Sequence, residues 1–213
     1  MDERFVFDGP ADARLTMLLA HGAGAAMDSA AMTAIAASLA AAGLRVARFE
    51  FGYMAARRAG RRRPPPRAET LMPEYRDAVA ELGAAGPLLI GGKSMGGRVA
   101  SMVADELFAA GAIIGLVVVG YPFHPPGKPE APRTRHLVTL ATPALICQGT
   151  RDPFGSRDEV AGYRLSDAIR IVWLEDGDHD LRPRQRLIGV SAADHLATMA
   201  SAVAAFAAAH AGG

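Results

Sequence analysis

One cysteine, Cys147, is all the chain has, so an intramolecular disulfide is excluded and the paired-thiol spacings of zinc sites are missing. A reducing, cytoplasmic setting is the expectation. A dominant charge is missing too: the formal net charge of +1 gives no overall field to gather nucleic acid or an anionic membrane, and neither is expected as a partner. The start, Met1-Asp-Glu-Arg, has neither the basic residues nor the long apolar run of a signal peptide and leads into a strand-like Phe5-Val-Phe. The Ala-rich run 196–209 covers 14 residues, short of the roughly 20 that cross a bilayer, and reads as a packed helix. Internal repeats and a linker dividing the chain are also lacking, which makes 1–213 one domain.

What is present is globular: 50% of residues are hydrophobic and 21% charged. Short apolar runs, near 14–20, 44–49, 87–91, 115–120, 144–148 and 168–174, alternate with helix-favouring stretches near 29–42, 69–82, 95–109, 156–165 and 191–209. That alternation predicts an α/β fold with a mostly parallel central sheet of about six to seven strands and helices on both faces. Two segments break the rhythm after strand ends, where open parallel sheets build their ligand crevices. The first, 52–67, holds Arg57, Arg58, Arg61, Arg62, Arg63 and Arg67 with a triple proline, and is expected to be extended. Its charge run reads first as a solvated or acid-paired loop, and second as a rim that attracts an anionic group. The second is 121–143. These rims put Tyr53, Tyr121 and His124, with Gly24 of the loop after the first strong strand, beside a small-molecule substrate.

Gly92-Lys93-Ser94-Met95-Gly96 is a G-x-S-x-G pattern between an apolar strand and a helix. A serine on such a sharp turn needs strained backbone angles, and the flanking glycines, extended by Gly97, remove the Cβ atoms that would collide with the packed strand and helix. A serine hydroxyl is too weak an acid to attack unaided and requires a base and an orienting carboxylate. Asp152 and His179 each follow a different strand, giving the chain order Ser, Asp, His that this elbow requires. Taken singly, Asp152 could cap the helix near Ser156, and His179 could sit in a surface turn. His124 is the rival base. His21-Gly-Ala-Gly-Ala supplies a loop whose Ala23 N–H, with Met95 N–H at the start of the following helix, would face a tetrahedral oxyanion. Lys93 is expected to point away from the nucleophile into strand or helix contacts.

Other classes fit worse. The P-loop pattern fails at its first glycine, where Pro87 stands. A dinucleotide fingerprint starting at Gly22 meets Met27 where a small residue belongs. Asp176, Asp178 and Asp180 begin a calcium loop, but Leu181 and Leu187 occupy the Gly and Glu positions. No cofactor or metal is expected.

The chain resembles the α/β-hydrolase superfamily, specifically its KANL/Tex-type branch related to dienelactone hydrolases. The resemblance rests on His21-Gly-Ala-Gly-Ala, Phe49-Glu-Phe-Gly-Tyr-Met, Gly91-Gly-Lys-Ser-Met-Gly-Gly-Arg, Gly120-Tyr-Pro-Phe-His-Pro-Pro-Gly-Lys-Pro, Gln148-Gly-Thr-Arg-Asp-Pro-Phe-Gly and Gly177-Asp-His-Asp. It implies Ser94 as nucleophile, Asp152 as orienting acid, His179 as base, and Ala23 and Met95 framing the oxyanion hole. It also implies an esterase-like activity on a small or polar substrate without a large lid. The alternative it leaves is a binding or scaffold protein that keeps the fold without turnover.

Overall fold

The computed structural model describes residues 4–61 and 64–211; Met1, Asp2, Glu3, Arg62 and Arg63, named above, lie outside them. The strands are β1 (Phe5–Asp8), β2 (Thr16–Ala20), β3 (Arg45–Phe49), β4 (Leu88–Lys93), β5 (Gly115–Val119), β6 (Ala144–Gly149) and β7 (Ile169–Leu174). They form one sheet in the order β1-β3-β2-β4-β5-β6-β7. β1 runs antiparallel to β3, and every other pairing is parallel. The helices are α1 (Ala30–Ala41), α2 (Gly52–Arg58), α3 (Met72–Leu82), α4 (Met95–Ala109), α5 (Arg157–Ala161), α6 (Gln185–Ile188) and α7 (Ala192–His210).

The central strands are apolar without alternation because both sheet faces are covered. Met17, Leu19, Leu89, Val117, Val119, Leu145 and Cys147 point into one core, which α1 and α7 close with Ile35, Leu39, Val203 and Phe206. Leu18, Ala20, Ile90, Val118 and Ile146 point into the other, closed by Tyr75, Val79, Val99 and Val103 of α3 and α4. Side chains i and i+2 of a strand share a face, so a one-residue slip would exchange the two cores. Serine caps set three helix starts: Ser29 for α1, and Ser156 and Ser191 in full capping boxes with Glu159 and Asp194.

The 52–67 segment departs from expectation. It opens as the helix α2, with Tyr53 and Met54 buried, and only beyond it do the prolines leave the chain without regular structure. The Gly52 N–H is anchored to Glu74 Oε2 at 2.7 Å, and two inward apolar residues a helical step from the core outweigh the prolines, which lie beyond the helix end. The segment expected as one helix over 69–82 begins as a 3-10 turn, Ala68–Leu71, before α3. The helix after Ser156 stops at Ala161, with Gly162 as its cap, rather than reaching Leu165. α7 runs 19 residues, longer than its apolar run suggested, and by length and composition could cross a membrane. Here one face, with Met199, Val203 and Phe206, is packed on the sheet core.

One buried bond ties α3 to the strand before the nucleophile. The fully buried Tyr75 hydroxyl accepts from the Gly91 N–H at 2.9 Å and donates to the Gly91 carbonyl at 2.7 Å. Tyr75→Phe takes this partner from both buried main-chain groups, and losing a buried hydrogen-bond partner costs about 1–3 kcal/mol. The expected loss of stability in that range is read from the urea midpoint at unchanged m-value.

Candidate active site

The site is assembled at the carboxyl ends of β4, β6 and β7. Ser94 sits between β4 and α4 with φ 52° and ψ −116°, a left-sided backbone that side-chain-bearing residues rarely adopt. Its N–H donates to the Val119 carbonyl at 3.0 Å, and its carbonyl accepts from Arg98 N at 2.9 Å, so the strained residue is pinned by strand and helix together. The turn is too tight for side chains on either side. A Cβ on Gly92 would stand 2.6 Å from Gly96 C, one on Gly96 would stand 2.5 Å from the His21 carbonyl oxygen, and one on Gly97 would stand 2.3 Å from Val118 Cγ1.

The three residues the sequence places on separate strand ends meet. His179 Nε2 lies 2.8 Å from Ser94 Oγ, and His179 Nδ1 lies 2.8 Å from Asp152 Oδ2. Asp152 is fully buried, and its charge is satisfied on every side. Oδ1 accepts from Phe154 N at 2.8 Å, while Oδ2 also accepts from Gln148 Nε2 at 2.9 Å. With Asp152 Oδ2 as the acceptor at one side of the ring, Nδ1 of the imidazole is the donor and Nε2 is left as the acceptor toward Ser94. Phe154 covers the ring at 4.2 Å between centroids.

The histidine loop is braced from three directions. Asp176, at φ 56°, bonds to the side chains of Arg151 and Arg184, and the Arg184 contact holds its carboxyl well below the usual range. His195 of α7 bonds through Nδ1 to the carbonyl of Leu181, itself at φ 60°, at 2.8 Å. Lys93 Nζ lies 3.4 Å from Asp180 Oδ1. Lys93 is buried, and desolvation pushes its ammonium below its ordinary value. It points to the sheet face shared with Leu89 and Gly91, yet it lines a hollow beside Ser94 as well, closer to the site than expected.

The loop 21–24 passes beside the nucleophile: a Cβ on Gly22 would lie 3.7 Å from Ser94 Cβ. Its shape is set from behind. His21 Nδ1 lies 2.7 Å from the Gly22 carbonyl, and His21 Nε2 accepts from Phe51 N–H at 3.1 Å. Those partners fix a neutral ring with the proton on Nδ1, and burial pushes its pKa down. The Tyr53 hydroxyl donates to the Ala23 carbonyl at 3.1 Å. With the carbonyls of 22 and 23 turned back, the N–H of Ala23 and that of Met95 at the start of α4 have no protein acceptor among the described residues.

Of the four residues expected to touch substrate, only Gly24 lines a hollow at Ser94. Tyr53 is a buried support for the loop. Tyr121 is fully buried, its hydroxyl donating to the Arg133 carbonyl at 2.9 Å, and burial pushes its pKa up to about 12. His124 is buried with Nδ1 2.8 Å from the Pro125 carbonyl, so it is neither rim nor base. Aromatic residues next to strand ends fold inward here because burying a ring outweighs exposing it at the rim. Gln148 and Phe154 were missed as site residues, although both stand in the quoted Gln148-Gly-Thr-Arg-Asp-Pro-Phe-Gly stretch. Two hollows flank Ser94, of about 240 Å³ on the side of Lys93 and Asp180 and about 410 Å³ on the side of Arg98 and Arg133. A hollow of about 720 Å³ between Arg4, Glu50, Arg58 and Asp77 is larger but holds none of the three residues.

A serine poised against histidine and a buried aspartate, on a mostly parallel sheet with helices on both faces, is the arrangement of a nucleophile-elbow hydrolase fold. The alpha/beta hydrolase domain model matches residues 13–208, and the chain belongs to that family. Among solved structures it is similar to a dienelactone hydrolase from Anabaena variabilis, with a TM-score of 0.71 and 20% identity over 96% of this chain and 90% of that one. A serine hydrolase without lid from Xanthomonas campestris gives a TM-score of 0.69 at 18% identity, covering 98% and 89%. The esterase domain of a Rhodothermus marinus protein gives 0.67 at 20% identity, covering 98% and 93%. No curated protein matches the sequence. The fold, including the absence of a large lid, agrees with the sequence reading: 121–143 contributes only a 3-10 turn, Arg135–Val138.

The neutral, buried His21 makes the oxyanion loop sensitive to acid. Burial holds its folded pKa below the ordinary histidine value of 6.5, so the unfolded state takes up the proton first as pH falls. Stability is complete above the unfolded value and declines as pH drops below it. The wild type is expected to lose urea resistance between neutral and mildly acidic pH, and His21→Gln to lose less over the same interval.

Proposed function

We propose that the protein is a serine hydrolase cleaving small ester-like substrates (esters, thioesters or lactones) through an acyl-enzyme on Ser94. The observation that carries this reading is the continuous relay of two 2.8 Å contacts, Ser94 Oγ to His179 Nε2 and His179 Nδ1 to Asp152 Oδ2. As Ser94 Oγ bonds to the carbonyl carbon, its proton passes to His179 Nε2, and Asp152 stabilises the imidazolium without taking the proton. The carbonyl electron pair moves to oxygen, where the N–H groups of Ala23 and Met95 donate to it. Each oxyanion donor of this kind is worth about a hundredfold to a thousandfold in rate. The intermediate then collapses, the bond to the leaving oxygen or sulfur breaks, and that atom takes the proton from Nε2. Water, deprotonated by the same nitrogen, repeats the sequence and releases the acid.

Two modest hollows and a short 121–143 segment support small or polar substrates over long acyl chains, since no lid encloses an apolar tunnel. The chemistry needs no metal or cofactor.

Stopped-flow assay of short-chain 4-nitrophenyl esters tests the reading. A burst of nitrophenol equal to the enzyme concentration, followed by slower turnover, is expected of the wild type. Ser94→Ala should lose at least about ten-thousandfold in kcat, with Asp152→Asn impaired through the wrong histidine tautomer. A wild type without burst or turnover on esters, thioesters and lactones alike would instead mark a protein that keeps the fold for binding.

A further inference from the structure

The larger of the two hollows at Ser94 is basic in a way that the ester chemistry does not use. Its walls include Ser94 and Met95 at one end and Arg67, Arg98 and Arg133 at the other, with Pro122 and Phe154 between. The arginines come from unconnected parts of the chain: the end of the proline stretch, the first turns of α4, and the segment after β5. Their charges are not balanced within the hollow. Glu69 is the sole carboxylate there among the described residues, and its Oε1 accepts from Arg98 Nη2 at 2.6 Å. Arg98 Nε is buried without a hydrogen-bond partner, although a buried donor of a guanidinium is costly to leave unmade. Arg133, half-buried, has no carboxylate partner among the described residues, and burial together with the nearby Arg98 charge pushes its guanidinium below its ordinary value.

Two arginines elsewhere on the protein are matched by acids. Arg58 is held by Asp28 and Glu50, and Arg76 by Glu106. Like charges brought together with a single acid among them destabilise the free protein, and an anion entering the hollow relieves that repulsion. Guanidinium forks match the planar, two-oxygen geometry of a carboxylate.

We infer that Arg98 and Arg133, with Arg67 at the mouth, form a subsite for a carboxylate on the substrate, so that the favoured substrates are monoesters, or the corresponding thioesters, of dicarboxylic acids. This deepens the reading of Ser94 as nucleophile and rests on it. The subsite opens directly from Ser94 and Met95, so the anionic end occupies the arginine end while the ester carbonyl stays at the nucleophile. The hollow on the Lys93 side, where the one basic side chain already faces Asp180, is left for the leaving group.

Mono-4-nitrophenyl adipate and its methyl diester, which share a length and differ in charge, separate the possibilities. Hydrolysis of the two by the wild type at low salt should favour the monoester in kcat/KM by at least about tenfold. Arg98→Met and Arg133→Met should each bring that ratio down by about tenfold, toward one, as expected for losing a hydrogen bond to a charged group. Arg133→Lys should restore it in part, and Arg76→Met, on the exposed face of α3, should leave it at the wild-type value. A ratio near one in the wild type, or one unmoved by both methionine variants, overturns the subsite. Calorimetric titration of Ser94→Ala with the same two esters decides the matter separately from turnover. Tighter binding of the monoester that is lost with Arg98→Met or Arg133→Met supports the subsite even if the wild type hydrolyses neither compound, an outcome that would count against the nucleophile instead. Equal binding of both esters overturns the subsite and leaves the hydrolase reading untouched.

Discussion

The geometry of one residue governs the rest of the site. Ser94 must hold a positive φ at the point where a buried strand turns into a helix, a conformation that costs about 1–3 kcal/mol and persists only where surroundings over-determine it. Three constraints do so. Glycines at 92, 96 and 97 let β2, β5 and α4 close to distances no side chain tolerates. The β5 carbonyl of Val119 takes the Ser94 N–H, and Tyr75 clamps Gly91 just upstream. The turn thereby aims the hydroxyl out of the sheet and leaves the first N–H of α4 free beside it.

A rigid nucleophile is useful only if its partners are equally fixed, and they lie on loops. The protein solves this with buried polar bonds rather than with apolar packing. Asp152 cannot rotate because Gln148 and the Phe154 N–H hold both its oxygens, and Gln148 is held in turn by Tyr121 N and the Gly155 carbonyl. The His179 loop is bracketed by two residues at positive φ, Asp176 and Leu181, each tied outside the loop, to Arg151 after β6 and to His195 of α7. Gly120, at φ 66°, clears the space in which Lys93 and His179 come together. The site is thus a set of loop residues fixed by second contacts, which is what preorganised catalysis demands.

The strand-and-helix order was legible because strands covered on both faces read as apolar runs, and because glycine, serine and proline mark their ends. Ser94, Asp152 and His179 were legible because residue type, strand end and chain order coincide. Three kinds of feature were not. α2 was hidden by the prolines that follow it, and α5 was read too long because periodicity does not register a glycine stop. Tyr53, Tyr121 and His124 were placed at the rim because sequence gives a residue's position along a strand but not the direction its loop turns. Gln148, Arg98 and Arg133 carry no local signal: their meaning comes from which distant residues they face, and pattern spacing cannot express that.

The central claim is that Ser94 is activated by His179. Intact-mass measurement after exposure to a small neutral fluorophosphonate tests it most directly, using wild type, Ser94→Ala and His179→Ala. One label per wild-type chain, absent from Ser94→Ala and slowed to the background rate in His179→Ala, is the predicted result. A folded wild type that takes no label, or a label that survives Ser94→Ala, would contradict it.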